Sequence, residues 1–157
     1  MSIRAGLMAS TLSIAQAVSC GGEGDIEVAD GTWDCTTAWT WDDNGAATPC
    51  SYVQRATCDD SRFTSESVLS LGDAQWSETS EGTCETSGQE LVTTRTTAQT
   101  TPKNDAARAF EAQRMAPKGL SLAPTLPVVD RARVVSLDAT TLVAVNGEGR
   151  TTTCTRL

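Results

Sequence analysis

The sequence predicts an all-β fold with one short helix, arranged as an antiparallel up-and-down meander of about eight strands. Three observations predict this fold. Apolar and polar residues alternate over residues 32–42, similar short segments recur between tight-turn signals, and only residues 104–115 have a helical composition. Such a meander either closes into a barrel or remains a strongly curved sheet, and closure removes the edge strands that favour aggregation.

The first predicted strand has the sequence TWDCTTAWTWD, residues 32–42. Its period of two places five side chains on one face, namely Trp33, Cys35, Thr37, Trp39 and Trp41. Asn44-Gly45 then predicts a hairpin turn, because these residues readily adopt a positive φ. The indoles either fill the interior of a small barrel or line a cavity for an apolar or sugar ligand, with Trp39 and Trp41 as the ligand-lining candidates.

Seven more strands are expected from the same pattern, over residues 50–57, 62–71, 75–80, 89–99, 131–137, 140–145 and 150–156. Glu81-Gly82 and Ser87-Gly88 each predict a break between strands. The third strand places Phe63, Leu69 and Leu71 on one side.

One short helix is expected over residues 104–115, where Ala, Arg, Glu and Gln are frequent. Asn104 or Asp105 can cap its start, and Pro117 with Gly119 closes it. Its buried side should carry Ala106 and Phe110. The prolines that follow predict a crossing loop before the last three strands.

The acidic and basic residues are unevenly distributed. The chain has 20 acids and 12 bases; residues 20–90 hold 15 of the acids and two of the bases, whereas residues 91–157 hold five acids and nine bases. This balance argues against nucleic acid as a partner. The asymmetry predicts either acidic loops that bind a basic protein, or acidic and basic strands that pair across the sheet.

The sequence offers no catalytic constellation, so we expect a protein that is not an enzyme. Histidine is absent, and with it the commonest general base and metal ligand. No G-x-S-x-G or Ser-x-x-Lys motif occurs, and the carboxylate pairs Asp42-Asp43 and Asp59-Asp60 lie at predicted turns. No cofactor and no metal site are predicted.

Residues 1–19 have the layout of a secretory signal, with Arg4 followed by a short stretch of apolar and small residues. Two cleavage sites are possible. Cleavage after Ala17 fits the small-x-small pattern and leaves a secreted or periplasmic protein. Alternatively, residues 17–20, AVSC, resemble a bacterial lipobox, which implies a lipid on Cys20. Residues 20–30 would then be a flexible tether to the membrane, and residues 31–157 a single domain.

Six cysteines fit three disulfides in an oxidising compartment, whereas a lipid on Cys20 leaves five and one unpaired. Both hypotheses, three disulfides or a lipid on Cys20, place the domain outside the cytoplasm. The lipid-anchored reading predicts a location in the cell envelope.

Gly31-Thr32-Trp33 resembles the G-x-W signature of lipocalin-like, or calycin-type, barrels. Members of that family also carry an arginine near the end of the last strand, and Arg156 occupies this position. Residues 76–83, WSETSEGT, are similar to a phrase in small bacterial lipocalin-like lipoproteins of unassigned function. The resemblance implies a barrel in which Arg156 lies over Trp33.

The cysteines lead to the same contact through strand register. If the first and last strands pair antiparallel and Cys35 lies opposite Cys154, then Trp33 falls opposite Arg156 on the same face. We therefore predict a Cys35–Cys154 disulfide that closes the barrel. Cys50, Cys58 and Cys84 remain without assigned pairing, although Cys50 and Cys58 are too far apart along one extended strand to bond each other.

The function expected from these features is non-catalytic binding of an apolar small molecule or envelope lipid by an exported, lipid-anchored barrel. The alternative is a protein-interaction or enzyme-inhibitor module of the envelope that uses acidic loops.

Overall fold

The protein folds as a closed antiparallel β-barrel of eight strands in the part of the chain that its structure, a computed structural model, describes: residues 30–43 and 45–157. Each strand pairs with the next, and β1 also pairs with β8. The strands are β1 Gly31–Asp43, β2 Ala46–Asp59, β3 Arg62–Leu71, β4 Ala74–Ser87, β5 Glu90–Pro102, β6 Val128–Leu137, β7 Thr141–Asn146 and β8 Thr151–Arg156. The predicted signal segment, the lipid-attachment candidate Cys20, most of the tether and Asn44 lie outside the described residues.

The predicted fold class is confirmed, and the sheet closes. The predicted register between the first and last strands is also found: Trp33 lies opposite Arg156, and Cys35 lies opposite Cys154. Closure follows from this pairing, because β1 is long enough to bond β2 along its whole length and β8 along part of it.

The prediction of a break at Glu81-Gly82 is wrong. β4 continues through these residues to Ser87, and the register with β5 shifts by one residue between Glu81 and Gly82. This shift is a β-bulge, and the missing side chain of Gly82 permits it. A Cβ atom at Gly82 would lie 1.8 Å from the carbonyl oxygen of Thr94. A glycine inside a strand therefore marks a close backbone approach here and not a turn.

The predicted helix is present as three consecutive turns of different pitch. α1 covers Asp105–Phe110, a π-helical turn covers Glu111–Met115, and a 3₁₀ turn covers Ala116–Lys118. The side-chain oxygen of Asn104 caps α1 by accepting a hydrogen bond from the backbone N–H of Ala107, over 2.9 Å.

This helical segment covers one end of the barrel, which we call the helix-capped end. Ala107 is fully buried with Ala74 and Trp76 of β4, whereas Ala106 is exposed. The prediction that Ala106 is buried is thus wrong, because the helix packs on β4 through Ala107, three residues before Phe110 and on the same side as it. Phe110, as predicted, packs inward, edge-on to Trp76 with ring centroids 5.7 Å apart.

The interior has apolar clusters at both ends and polar groups between them. Away from the helix, one cluster joins Trp33 and Leu142 to the Cys35–Cys154 bond, and a second contains Phe63 with Cys58 and Cys84. Between these clusters and the helix-capped end, the inner face carries four buried hydroxyls, those of Thr37, Ser65, Ser67 and Ser80. The barrel is therefore not filled by a continuous apolar core.

Candidate ligand cavity

A cavity of about 740 Å³ lies inside the barrel. Apolar side chains from five strands form much of its wall: Trp33, Phe63, Leu91, Val129, Leu142 and Ala144. The exposed residues Gly147 and Glu148, in the turn between β7 and β8, also line it, so the cavity reaches the surface at this turn. Its volume lies in the range of cavities that bind small organic molecules.

A network of polar side chains occupies one part of the cavity wall. The carboxylate of Glu78 on β4 accepts hydrogen bonds from Tyr52 Oη at 3.2 Å, Arg95 Nη1 at 2.9 Å and Thr100 Oγ1 at 3.3 Å. Arg95 also donates from Nε to Asp130 Oδ2 at 3.0 Å. The side chains of Glu78 and Arg95 are only 13% and 17% exposed, so this ion pair is largely withdrawn from water.

The β-bulge places Arg95 in this network. On the helix-capped side of the bulge, Thr100 of β5 lies opposite Glu78 of β4. Beyond the bulge, Arg95 lies opposite Gly82, and the inward positions of β5 change from even to odd numbers. Without the extra residue in β5, the strand alternation would direct Arg95 away from the cavity.

Tyr52 acts in the network as a neutral hydrogen-bond donor. Burial raises its pKa to about 12, and the negative charge of Glu78 acts in the same direction. At neutral pH the phenol therefore stays protonated and donates a hydrogen bond to the carboxylate of Glu78. Across the described residues, each buried side-chain nitrogen or oxygen has a hydrogen-bond partner, so the network is satisfied within the protein itself.

Trp33 closes the cavity at the end opposite the helix. Its side chain is 3% exposed, and the guanidinium carbon of Arg156 lies 4.7 Å from its ring centroid. Arg156 also donates from Nη2 to the backbone oxygen of Asp30 at 2.8 Å. The contact implied by the lipocalin-like resemblance is thus present in the geometry.

Trp39 and Trp41, the residues predicted to line a ligand site, are not part of the wall of this cavity. Both lie further along β1, toward the helix-capped end. Trp41 is 36% exposed and meets Phe110 with ring centroids 6.4 Å apart. Trp39 lies under the guanidinium of Arg150, 4.4 Å from its ring centroid. The alternation of β1 identifies the inward face but does not determine how far along the barrel axis the cavity extends.

The cysteines form two disulfides in the described part of the chain. Cys35 is bonded to Cys154 with Cα atoms 3.9 Å apart, as predicted, and Cys58 to Cys84 with Cα atoms 6.1 Å apart. Cys50 is a buried free thiol. Disulfides persist in oxidising compartments, so these bonds indicate an environment outside the cytoplasm.

Sequence reasoning missed the polar network. Glu78 lies within residues 76–83, which carry the resemblance, and Tyr52, Arg95 and Asp130 belong to none of the sequence motifs. The signal that could have found Arg95 is Gly82, since an isolated glycine inside a strand indicates a bulge and a bulge changes the inward face.

Oppositely charged side chains pair across neighbouring strands. Arg55 of β2 donates to Asp34 of β1 at 2.8 Å and 3.0 Å, and Arg131 of β6 lies 3.3 Å from Glu90 of β5. These pairs agree with the interpretation that oppositely charged residues meet across the sheet.

None of the helices among the described residues is long and apolar enough to span a membrane. Over the same residues, no group of three or more potential ligands is arranged to hold a metal ion. In comparisons with known proteins, the chain matches no family model and no curated sequence.

Proposed function

We propose that this barrel is a non-catalytic binding protein that holds an apolar or amphipathic small molecule in its central cavity. The observation that carries the proposal is the cavity of about 740 Å³ between Trp33 and the turn at Gly147. Apolar walls remove a ligand's hydrocarbon surface from water, and a few polar groups orient it, which is the usual composition of a small-molecule site.

A neutral apolar fluorophore such as phenylnaphthylamine tests this function. Its emission should rise and saturate at one probe per protein. Ala132→Phe, which adds a ring on the cavity wall, should reduce probe binding by about tenfold or more, because the ring occupies ligand volume. Val135→Phe on the same strand is the control, since Val135 is 52% exposed. No saturable binding to the unaltered protein, or equal binding by both variants, contradicts the proposal.

The proposed location is the cell envelope, with a lipid on Cys20 as the anchor. Two observations support it: the lipobox-like residues 17–20, and a pattern of two disulfides that leaves one cysteine, Cys50, free among the five described. Replacing Cys20 with Ala should release the protein from the membrane fraction of its host. A soluble native protein that begins at Val18 would contradict the anchor and leave the binding function open to its own test.

The alternative function is an interaction or inhibitor module that binds a basic protein through acidic loops. The ion pairs Asp34–Arg55 and Glu90–Arg131 neutralise part of the acidic charge within the barrel wall. Less negative charge is then left to bind a basic protein, which favours ligand binding in the cavity over this alternative. Binding of a basic protein that weakens steeply as ionic strength rises would favour the alternative.

A further inference from the structure

We infer that the ligand has a polar head group that donates hydrogen bonds and carries no negative charge, such as a hydroxyl or an amine, and that the cavity disfavours carboxylates. This inference rests on the proposed binding function and specifies its ligand class. It follows from the charges on the cavity wall.

The polar part of the wall has an excess of negative charge. Arg95 is its central cation, and it is shared between two carboxylates, Glu78 at 2.9 Å and Asp130 at 3.0 Å. One guanidinium balances one of these charges, so the three side chains together retain one negative charge. An anionic head group at this position would meet both carboxylates at short range.

The other charged residues of the wall do not reverse this balance. Arg131 is 59% exposed and lies 3.3 Å from Glu90, which neutralises it. Glu148, at the surface turn, is paired with Arg150 at 2.9 Å. The negative excess at Asp130 therefore remains the net charge that a ligand in the cavity encounters.

Arg95 is also poorly placed to turn toward an anion. Its Nη1 bond to Glu78 holds a carboxylate that is only 13% exposed. Breaking that bond would leave Glu78 largely withdrawn from water with only the hydroxyls of Tyr52 and Thr100 as partners, which is strongly unfavourable. Asp130, by contrast, is 57% exposed and has an oxygen, Oδ1, beyond the one that Arg95 binds, so it can accept a hydrogen bond from a ligand.

Three probes with one alkyl chain and different head groups test the inference: decanol, decylamine and decanoate, each measured by calorimetry at neutral pH. We expect decanol and decylamine to bind, and decanoate to bind about tenfold more weakly or worse than either. Decanoate binding as tightly as the other two would overturn the head-group inference and leave the binding function intact. Failure of all three, together with failure of the apolar fluorophore, would overturn the binding function itself.

A charge variant separates electrostatics from shape. Asp130→Asn removes the excess charge at an exposed position, so the barrel should fold normally. The ratio of the dissociation constants of decanoate and decylamine should fall by about tenfold in this variant. Asp73→Asn, in the exposed turn between β3 and β4, is the control and should leave the ratio unchanged. An unchanged ratio in Asp130→Asn would overturn the inference.

Discussion

Arg95 and Gly82 lie opposite each other on β5 and β4, and the absence of a side chain at Gly82 is what allows the bulge that brings Arg95 into the barrel. The Thr94 carbonyl oxygen occupies the space that a Cβ atom at Gly82 would need. A local backbone feature thus determines the chemistry of the cavity.

Gly82→Ala should therefore destabilise the barrel and disturb the polar network. The added methyl would lie 1.8 Å from the carbonyl oxygen of Thr94, a backbone atom of the paired strand, so we expect a loss of about 2 kcal/mol or more in the free energy of unfolding. Urea unfolding followed by tryptophan fluorescence measures it. Gly147→Ala is the matched control: a Cβ atom there meets nothing within 4 Å, so its effect should stay within about 0.5 kcal/mol. Equal stability of the two variants would contradict the close approach at Gly82.

The two disulfides should contribute unequally to stability, because they close loops of different length. Cys35 and Cys154 are 119 residues apart, whereas Cys58 and Cys84 are 26 apart. The chain-entropy estimate gives about 5 kcal/mol for the first and about 3.5 kcal/mol for the second. Each pair of cysteines is replaced with alanines, and urea unfolding of the two variants is measured. The variant without Cys35–Cys154 should lose more free energy of unfolding than the variant without Cys58–Cys84.

Non-reducing peptide mapping provides the independent check on these bonds. Cys50 should react as a free thiol once the protein is unfolded, and the other four described cysteines should not. A Cys35 joined to any residue other than Cys154 would contradict the register of β1 and β8.

The fold could be predicted largely from the sequence because its main signals are local or depend on simple registers. Alternation over residues 32–42 defined β1, and the pairing of Cys35 with Cys154 determined how the barrel closes. Strand β3 was predicted with its observed bounds, since turn residues flank it on both sides. These features need no knowledge of side-chain packing.

The cavity could not be predicted in the same way. Its position depends on where along the barrel axis large side chains from different strands meet. The alternation of apolar and polar residues along one strand does not determine this. Trp39 and Trp41 share the inward parity of Trp33 but lie near the helix-capped end, where Phe110 contacts Trp41. Arg95 was missed because a one-residue bulge reverses the parity of its strand.

The stacking of Arg156 on Trp33 should stabilise the closed end of the barrel. The guanidinium lies 4.7 Å from the ring centroid and also binds a backbone oxygen at Asp30, so Arg156→Met should lower the free energy of unfolding by about 0.5–2 kcal/mol. Arg133→Met, at an exposed position on β6, is the control for loss of a surface arginine. Equal losses in the two variants would show that the contact with Trp33 contributes nothing measurable.

Tyr52 gives a pH prediction that can be measured directly, because it is the only tyrosine in the chain. Burial raises its pKa to about 12 from an ordinary value of 10.0. Because the folded state favours the neutral phenol, this stabilisation is fully present below pH 10 and is lost as the pH rises through the window from 10 to 12. The phenolate absorbance of the folded protein should therefore appear with a midpoint near 12, and in urea near 10.

Tyr52→Phe is the matched variant, since it keeps the ring and removes only the hydroxyl that donates to Glu78. The variant should show no phenolate absorbance, and its stability should fall less between pH 10 and pH 12 than that of the unaltered protein. Tryptophan emission recorded alongside reports whether the barrel is still folded at each pH. A folded protein whose tyrosine titrates at 10 would mean that water reaches the phenol freely, and would exclude Tyr52 from a network withdrawn from solvent.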